Sequence, residues 1–436
     1  MGRTGCPAAG CIVSNRTPYV GLDIGTSKVA VVVATRDPST GMIDIVGSGI
    51  APCDGLKRGV VTNIGKTAEA INNAIEQAEK KSGFEITRAV VGVSGDHIAT
   101  SGTKAIVTVS GAEITASDVR RLHHELAQVR ITPDRRILHV IPQDYVIDDL
   151  EGITDPLGMS GKRVEANGLV ITASAAAVDN IYRCAERAGV DVDALVLQPL
   201  ASAYAVLEEA EKDLGIALVD IGAGTTDVSV FKGNVLRFAS VVPVAGQKVT
   251  DDIMTVLSIR NLDAEQIKKD HGHADGRTIM HDTVFQIPGV AGRTPTELSK
   301  VVLAQIIEPR AAETFELVLQ RLMDSGWAHQ LNAGIVLTGG SSLLRGSDTL
   351  ARRVFNMPVA IGIPRSISKD GLGKEVTSPA YSTAVGLALY ALQHEDEFET
   401  PAEERETQQH PVAATQQHSG DQKGFLSKVK NWFENL

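Results

Sequence analysis

The 436-residue chain lacks the features that mark several common classes of protein. Its four cysteines, Cys6, Cys11, Cys53 and Cys184, are too scattered for a disulfide scaffold and pair with no histidine at a zinc-site spacing, which fits a reducing cytoplasm. No apolar run approaches the roughly 20 residues that span a bilayer, and the first twenty residues lack the continuous apolar core of a secretory signal. We therefore expect any membrane contact to be peripheral.

Positive charge is also scarce. The chain has 42 Lys and Arg residues against 53 Asp and Glu residues, a net charge of −11, and no basic run with interleaved aromatic residues. A broad nucleic-acid-binding face would have to form against this negative field, so we expect no nucleic-acid partner. The hydrophobic content of 43% is enough for a buried core in more than one domain.

Two stretches about two hundred residues apart resemble each other, namely "YVGLDIGTSKVAVVVA" at 19–34 and "IALVDIGAGTTDVSVF" at 216–231. Each has an apolar β run, an Asp-Ile-Gly bend and a second β run, which predicts an antiparallel hairpin. Small residues at the bends would let backbone N–H groups approach an anion. These residues are Gly25, Thr26 and Ser27 in the first copy and Gly222, Gly224, Thr225 and Thr226 in the second. One copy would indicate an ordinary tight hairpin, but two copies favour two like domains facing each other across a cleft.

Acidic residues beside the bends favour phosphate chemistry that uses a metal ion. Asp23, Asp220 and Asp227 would repel a polyphosphate directly, but they are suited to holding Mg²⁺ through its water ligands. The metal would then neutralise phosphates between the loops, while Lys28 and the threonine hydroxyls make direct contacts.

A third glycine stretch, "AGIVLTGGSS" at 333–342, runs from a predicted strand into Gly339 and Gly340. The missing side chains would let a base or ribose lie against the backbone. By contrast, the Gly-Lys-Thr in "GVVTNIGKTAEAI" at 59–71 fails the spacing of a P-loop by one residue. There we predict that Asn63 caps a helix.

The order of five motifs resembles that of the actin, chaperone-ATPase and sugar-kinase superfamily. The motifs are DIGTSK, "QPLASA" at 198–203, DIGAGTTD, TGGSS and "YSTAVGLALYA" at 381–391. Within the superfamily the chain is similar to the bacterial FtsA family of actin-like division proteins. "LHVIPQDYVIDDLEGITDPLGMSGKRVEA" at 138–166 resembles that family's inserted subdomain, and "DAEQIKKDHG" at 263–272 resembles its nucleotide-side helix.

This resemblance implies an α/β, two-lobed actin-like ATPase fold that binds ATP and Mg²⁺ between the lobes, with at most slow hydrolysis. It also implies homo-polymers, recruitment of the tubulin-like FtsZ and of later division proteins, and a C-terminal helix bound to inner-membrane lipids on the cytoplasmic face of the septum. The inserted subdomain would contact proteins and not nucleotide. Two alternatives on the same fold are a small-molecule kinase and a pilus-assembly ATPase, because fold alone does not decide function.

The same resemblance assigns roles to individual residues. Gln198 and Asp220 would be catalytic, with Gln198 matching the glutamine that positions water in actins; the alternative for Gln198 is packing at a helix start before Pro199. Glu265 and Lys268 would reach the ribose and adenine, or else form a solvated surface pair. The phosphate loops would be Asp23, Gly25, Thr26, Ser27 and Lys28, then Asp220, Gly222, Gly224, Thr225, Thr226 and Asp227, with Gly339, Gly340 and Ser341 closing the pocket.

These patterns divide the chain into nine predicted segments. They are an N-terminal extension (1–18), first-lobe core (19–87), an inserted subdomain (88–175), a first-lobe return segment (176–200), second-lobe core (201–245), a second inserted subdomain (246–326), the remaining second lobe and its return to the first (327–392), an acidic linker (393–423) and a C-terminal helix (424–436). We expect the N-terminal extension to be disordered. The resemblance places the FtsZ-accepting surface in the second inserted subdomain. The apolar spacing at 295–323 further predicts a long helix broken near Pro309.

The linker at 393–423 has eight acidic and two basic residues with no apolar period, which predicts a disordered tether. The last thirteen residues, "GFLSKVKNWFENL", place apolar residues on one helical face and lysines beside them. A helix of about 18 Å is too short to span a bilayer and should lie in its interface, unless it docks in a groove of this protein or of a partner. The predicted membrane-binding residues are Phe425, Leu426, Lys428, Val429, Lys430, Trp432, Phe433 and Leu436.

Overall fold

A computed structural model of the chain describes residues 17–38, 40–289, 294–368 and 370–395. The strands are β1 (Tyr19–Ile24), β2 (Lys28–Arg36), β3 (Ile43–Pro52), β4 (Leu56–Lys57), β5 (Val60–Val61), β6 (Arg88–Val93), β7 (Ala99–Thr108), β8 (Arg135–Ile147), β9 (Leu150–Ile153), β10 (Arg163–Ser174), β11 (Asp191–Leu197), β12 (Ile216–Ile221), β13 (Thr226–Lys232), β14 (Val235–Val242), β15 (Val284–Ile287), β16 (Thr296–Ser299), β17 (Gly334–Thr338) and β18 (Val359–Ile361). The helices are α1 (Ile64–Ser82), α2 (Ala116–Ala127), α3 (Ala175–Arg187), α4 (Gln198–Val206), α5 (Glu209–Leu214), α6 (Gly246–Leu257), α7 (Asn261–His271), α8 (Lys300–Asp324), α9 (Ser347–Phe355), α10 (Gly373–Val376) and α11 (Ser382–Gln393).

Each lobe is built on a five-stranded sheet, and the two sheets have the same strand order. The first lobe has the order β3-β2-β1-β6-β11 and the second has β14-β13-β12-β17-β18. In both, the first three strands are antiparallel and the remaining pairs are parallel. Both predicted hairpins are confirmed, and the matching topology confirms two like lobes.

Helices cover the first-lobe sheet because its strands are apolar on both faces. Residues 29–34 of β2 are all fully buried, and they alternate between two hydrophobic clusters. One cluster includes α1, whose start at Asn63 is confirmed by a bond from the Lys66 N–H to the Asn63 side chain at 3.0 Å. The other includes α4 and α11, which approach closely because a Cβ at Gly386 would lie only 1.8 Å from the Ala201 carbonyl oxygen.

A small α/β subdomain is inserted after β6. Its antiparallel sheet has the order β7-β10-β8-β9, and α2 packs against that sheet around a core of its own. The base of the subdomain is continuous with the lobes, because Ile141 and Ile171 belong to the same cluster as Val196 and Leu197.

A second insertion in the other lobe packs α6, α7, α8 and the β15–β16 hairpin around a separate core. The predicted break near Pro309 was wrong, because α8 runs through this residue without interruption. Proline in a helix costs roughly 3 kcal/mol, but packing can exceed that cost. Ile307 and Ala311 are buried on either side of the proline, and Arg310 binds Asp252 of α6 at 2.6 Å.

The described chain ends beside the first-lobe sheet. Gln393, the first residue of the predicted tether, is still the last residue of α11. Glu395 accepts a hydrogen bond from the Tyr19 hydroxyl and pairs with Arg36 at 3.5 Å. Most of the predicted N-terminal extension, the rest of the linker and the C-terminal helix lie outside the described residues. Within those residues, no helix combines the length and hydropathy of a membrane span.

Candidate nucleotide-binding cleft

The two Asp-Ile-Gly bends face each other across the gap between the lobes. A Cβ added to Gly224 would lie 2.5 Å from Thr26 Oγ1, so only glycine permits this approach. Each bend is closed by the same backbone bond, from Gly25 N–H to the Lys28 carbonyl and from Gly222 N–H to the Thr225 carbonyl, both 2.9 Å long. The structure therefore brings together the two loops that the sequence singled out.

Three buried carboxylates lie between these bends. Asp23, Asp220 and Asp227 each lie one residue inside the strand end that meets a bend, and each is less than 8% exposed. Burial raises the pKa of Asp23 to about 6 and that of Asp227 to about 8, with a further increase at Asp227 from the other two carboxylates. Burial also raises the pKa of Asp220 and lowers the pKa of Lys28. Each of these shifts disfavours the ionised form of the group, and a divalent cation between the carboxylates would stabilise their ionised forms.

A cation can be held by carboxylates either directly or through its water ligands. Among the described residues, no three His, Cys, Asp or Glu side chains are grouped closely enough to ligate one ion. A cation held through its own water molecules, as the sequence predicts for Mg²⁺, does not require such a group. The three aspartates therefore fit Mg²⁺ as outer ligands.

Each carboxylate already accepts a hydrogen bond from another segment of the chain. The bonds run from Gln198 Nε2 to Asp23 Oδ1 at 2.9 Å, from Ser202 Oγ and Thr383 Oγ1 to Asp220 Oδ2 at 2.7 and 3.2 Å, and from Ser94 Oγ to Asp227 Oδ1. Sequence reasoning missed these three hydroxyls as site residues. Two of them lie inside motifs that had been recognised, "QPLASA" and "YSTAVGLALYA", whereas Ser94 gave no signal because its partner lies on the other lobe.

Gln198 lies at a helix start and also contacts a carboxylate of the site. It is the first residue of α4, followed by Pro199 at a position where a missing N–H is tolerated. Its side chain also reaches the site through Asp23. The helix start therefore places the amide group in the cleft.

Lys28 points toward the segment that returns to the first lobe. Its ammonium group donates to the Ala380 carbonyl and lies 5.3 Å from the centre of the Tyr381 ring. Asp23 and Asp220 are close enough to interact with it electrostatically. Lys28 therefore places a basic side chain at this end of the cleft.

The third glycine stretch lies behind the second bend. Gly339 has a φ of +84°, and a Cβ there would be 2.3 Å from Asp220 Oδ1. Ser341 Oγ donates to the Gly222 carbonyl at 2.7 Å, which ties this stretch to the bend. A Cβ on Gly340 would meet no atom within 4 Å, so this position faces open space.

Glu265 and Lys268 form a partly buried pair and not a solvated one. Lys268 Nζ lies 2.6 Å from Glu265 Oε2 and donates to Thr250 Oγ1 and to the Gly246 carbonyl at 2.9 and 3.1 Å. Burial opposes the charge of both groups, but the interaction with Lys268 leaves the pKa of Glu265 below its usual value. Because Gly246 N–H donates to the Gly222 carbonyl at 3.2 Å, the pair connects to the edge of the cleft.

Comparison with known proteins identifies the family. A model described as "Cell division protein FtsA" matches residues 217–386, and one described as "SHS2 domain inserted in FTSA" matches residues 95–172. The cell division protein FtsA of Pseudomonas aeruginosa is 43% identical over 378 residues, which cover 87% of this chain and 90% of that protein. This chain belongs to the FtsA family of cell division proteins. The FtsA resemblance drawn from the motifs is therefore confirmed, and the subdomain containing β7 to β10 is the SHS2 insertion of the family.

Solved structures support the fold of this FtsA-family chain. A PilM–PilN type IV pilus biogenesis complex matches with a TM-score of 0.62 at 18% identity, covering 86% of this chain and 99% of that one. MreB5 of Spiroplasma citri bound to ADP matches with a TM-score of 0.55 at 13% identity, covering 88% and 99%. These likenesses show an actin-like fold, and in the MreB5 structure that fold holds an adenine nucleotide.

Proposed function

We propose that this FtsA-family chain binds Mg-ATP between its lobes, polymerises, and tethers the FtsZ ring to the cytoplasmic face of the inner membrane at the septum, where it recruits later division proteins. Nucleotide binding is supported by the pair of facing glycine bends with three buried carboxylates between them. Family membership favours this role over a small-molecule kinase or a pilus-assembly ATPase.

In this proposal the backbone amides of the two bends and Lys28 would contact the phosphates. Bound Mg²⁺ would neutralise phosphate charge, and Asp23, Asp220 and Asp227 would hold its water ligands. The open space at Gly340 and the partly buried Glu265–Lys268 pair would accommodate the base and ribose. Gln198, held by Asp23, would orient a water molecule beside Asp220, and we expect at most slow hydrolysis of ATP.

A groove in the second insertion supports a protein-binding role for residues 246–326. Its volume is about 560 Å³, and it combines exposed apolar side chains with an ion-paired arginine. Such a groove fits an amphipathic peptide, and we propose that it binds a segment of FtsZ. Its lining residues are Asp252, Thr255, Val256, Gln305, Ile306, Pro309, Arg310 and Glu313.

Membrane attachment is assigned to residues 424–436 on sequence grounds. Lys428 and Lys430 would face anionic head groups, each contributing on the order of 1 kcal/mol before screening by salt. A helix this short must also fold as it binds, so one copy should bind weakly and reversibly. Polymerisation would add anchors at high local concentration and could raise the avidity by a factor of roughly 10² or more.

Co-sedimentation of the purified protein with anionic vesicles tests the proposal as a whole. Full-length protein should sediment with vesicles, more so with ATP when polymers form, and protein lacking residues 424–436 should not. Equal sedimentation of both proteins would refute the membrane assignment. An absence of any ATP effect on assembly, with ATP binding shown separately, would refute the nucleotide-dependent polymer.

A further inference from the structure

A histidine of the SHS2 insertion reaches the start of the helix that carries Gln198. His139 lies on β8 opposite Ile171 of β10. Its Nε2 atom accepts a hydrogen bond from the Leu197 N–H at 3.1 Å. Leu197 ends β11 and immediately precedes α4, where no side-chain cap is present. Because helix starts leave N–H groups without intrahelical partners, His139 stabilises this junction.

The surroundings of His139 keep its ring neutral and fixed in place. The residue is buried, and burial, with a smaller contribution from His394, lowers its pKa to about 4. At neutral pH the bond from Leu197 therefore meets an unprotonated Nε2, and the ring proton resides on Nδ1. Ile171 and Leu197 pack in one hydrophobic cluster, so the strand and the helix start share a rigid base.

The contacts continue from this junction into the cleft. Gln198 follows Leu197 directly, and its Nε2 donates to Asp23 Oδ1 at 2.9 Å. Asp23 in turn interacts with Lys28 at the first bend. Two hydrogen bonds and one peptide linkage thus separate the imidazole from a carboxylate of the candidate nucleotide site.

We infer that His139 is a positioning residue, which fixes the first turn of α4 so that Gln198 is held against Asp23. The SHS2 insertion is thereby coupled to the nucleotide cleft through a specific side chain and not only through shared packing. This inference rests on the proposed function in one respect, since an effect on ATP turnover requires that the cleft bind Mg-ATP.

Three variants separate positioning from a general loss of stability. His139→Leu removes the acceptor, whereas His139→Gln places an amide oxygen near the position of Nε2 and can still accept the bond from Leu197. The matched control is His123→Leu. His123 is another buried histidine of the insertion, and its Nε2 lies 2.6 Å from the Tyr145 hydroxyl inside that subdomain. Its loss should weaken the subdomain without disturbing α4.

The first measurement uses no nucleotide. In full-length protein labelled with ¹⁵N-glutamine, the Gln198 side-chain NH₂ signals are assigned by their loss in a Gln198→Ala variant. We expect these signals to shift and broaden in His139→Leu and to stay near their wild-type positions in His139→Gln and His123→Leu. In protein labelled with ¹⁵N-leucine, the Leu197 amide should exchange with solvent about tenfold faster in His139→Leu than in wild type, as the loss of one buried hydrogen bond implies.

The second measurement is steady-state ATP turnover with Mg²⁺ by the same set of proteins. We expect kcat of His139→Leu to fall about tenfold or more with KM little changed, because displacement of an orienting group affects the reaction more than binding. His139→Gln should recover most of this loss. Unchanged Gln198 signals, or an unchanged kcat where the wild type turns over, would overturn the inference. Failure of the wild type to bind Mg-ATP would instead overturn the proposed function, with the Gln198 signals still deciding the role of His139.

Discussion

Asp227 offers a quantitative test of the charge balance in the cleft. Burial raises its pKa from 3.8 to about 8, and the neighbouring aspartates add to the effect. Between pH 5.5 and 7.5 the folded protein therefore carries this proton, whereas the unfolded chain does not. Unfolding releases a proton in this range, so Asp227 makes the free energy of unfolding fall as the pH rises.

The size of this effect follows from the constant of 1.36 kcal/mol per pKa unit. One proton released over two pH units corresponds to about 3 kcal/mol. Asp227→Asn removes the titrating group, and with it this contribution to the pH dependence of stability. The asparagine side chain keeps an oxygen that can accept the hydrogen bond from Ser94. Relative to wild type, the nucleotide-free variant should therefore gain about 3 kcal/mol of stability between pH 5.5 and 7.5.

Urea unfolding of the nucleotide-free protein at both pH values measures this difference. Asp149→Asn is the control. This substitution also replaces an aspartate by asparagine, but the side chain of Asp149 is fully exposed and not buried. If the free energy of unfolding has the same pH dependence in Asp227→Asn and in wild type, Asp227 is not held protonated in the folded protein, and the charge balance described for the cleft is wrong. Mg-ATP binding supplies the complementary test, since binding that requires ionised Asp227 should tighten as the pH rises from 6 to 8 in wild type and much less in the variant.

Four further outcomes are expected. Asp220→Ala should weaken Mg-ATP binding by about tenfold or more in a protein that remains folded, and unchanged affinity in isothermal titration would contradict the assignment. Ile106→Asp, at an exposed position on β7 of the SHS2 insertion, should reduce self-association in sedimentation velocity while ATP affinity persists; loss of both together would argue against a separate contact surface. Val256→Asp, in the groove of the second insertion, should abolish binding of FtsZ without affecting vesicle binding, and retained FtsZ binding would place that surface elsewhere. Trp432→Glu should abolish flotation with anionic vesicles and spare ATP binding, and flotation equal to wild type would disprove the membrane role of the helix.

The role of the SHS2 insertion shows why such tests need point substitutions. The family resemblance implies that residues 88–175 contact proteins and not nucleotide, from which one would expect their deletion to leave ATP binding intact. In the structure, Ile141 and Ile171 of this segment complete the main hydrophobic cluster of the lobes, and His139 supports the start of α4. Removing the segment would expose apolar core, so a deletion would confuse loss of contacts with loss of folding.

Much of the architecture could be predicted because it depends on local patterns. Alternating β-branched residues around a glycine bend specify a hairpin whatever surrounds it, so the duplicated stretches at 19–34 and 216–231 were sufficient to predict two like lobes. The Asn63 cap is likewise a local bond, between a side chain and an N–H three residues on. Motif order then indicated the superfamily, because five short stretches in the same order along the chain rarely coincide by chance. The stretches at 138–166 and 263–272 indicated the FtsA family within it.

The break at Pro309 was predicted wrongly. The prediction considered only the effect of proline on its own helix, whereas α8 is also stabilised by packing against segments remote in sequence. The same limit applies in the cleft, where Ser94 and Asp227 are 133 residues apart in the chain and meet only across the two lobes. By itself the sequence determined the strands, bends and acidic residues of this protein, since these depend on neighbours along the chain. Tertiary structure alone decided which hydroxyls meet the carboxylates, how far burial raises their pKa values, and that His139 supports Gln198, because those depend on distances between segments remote in sequence.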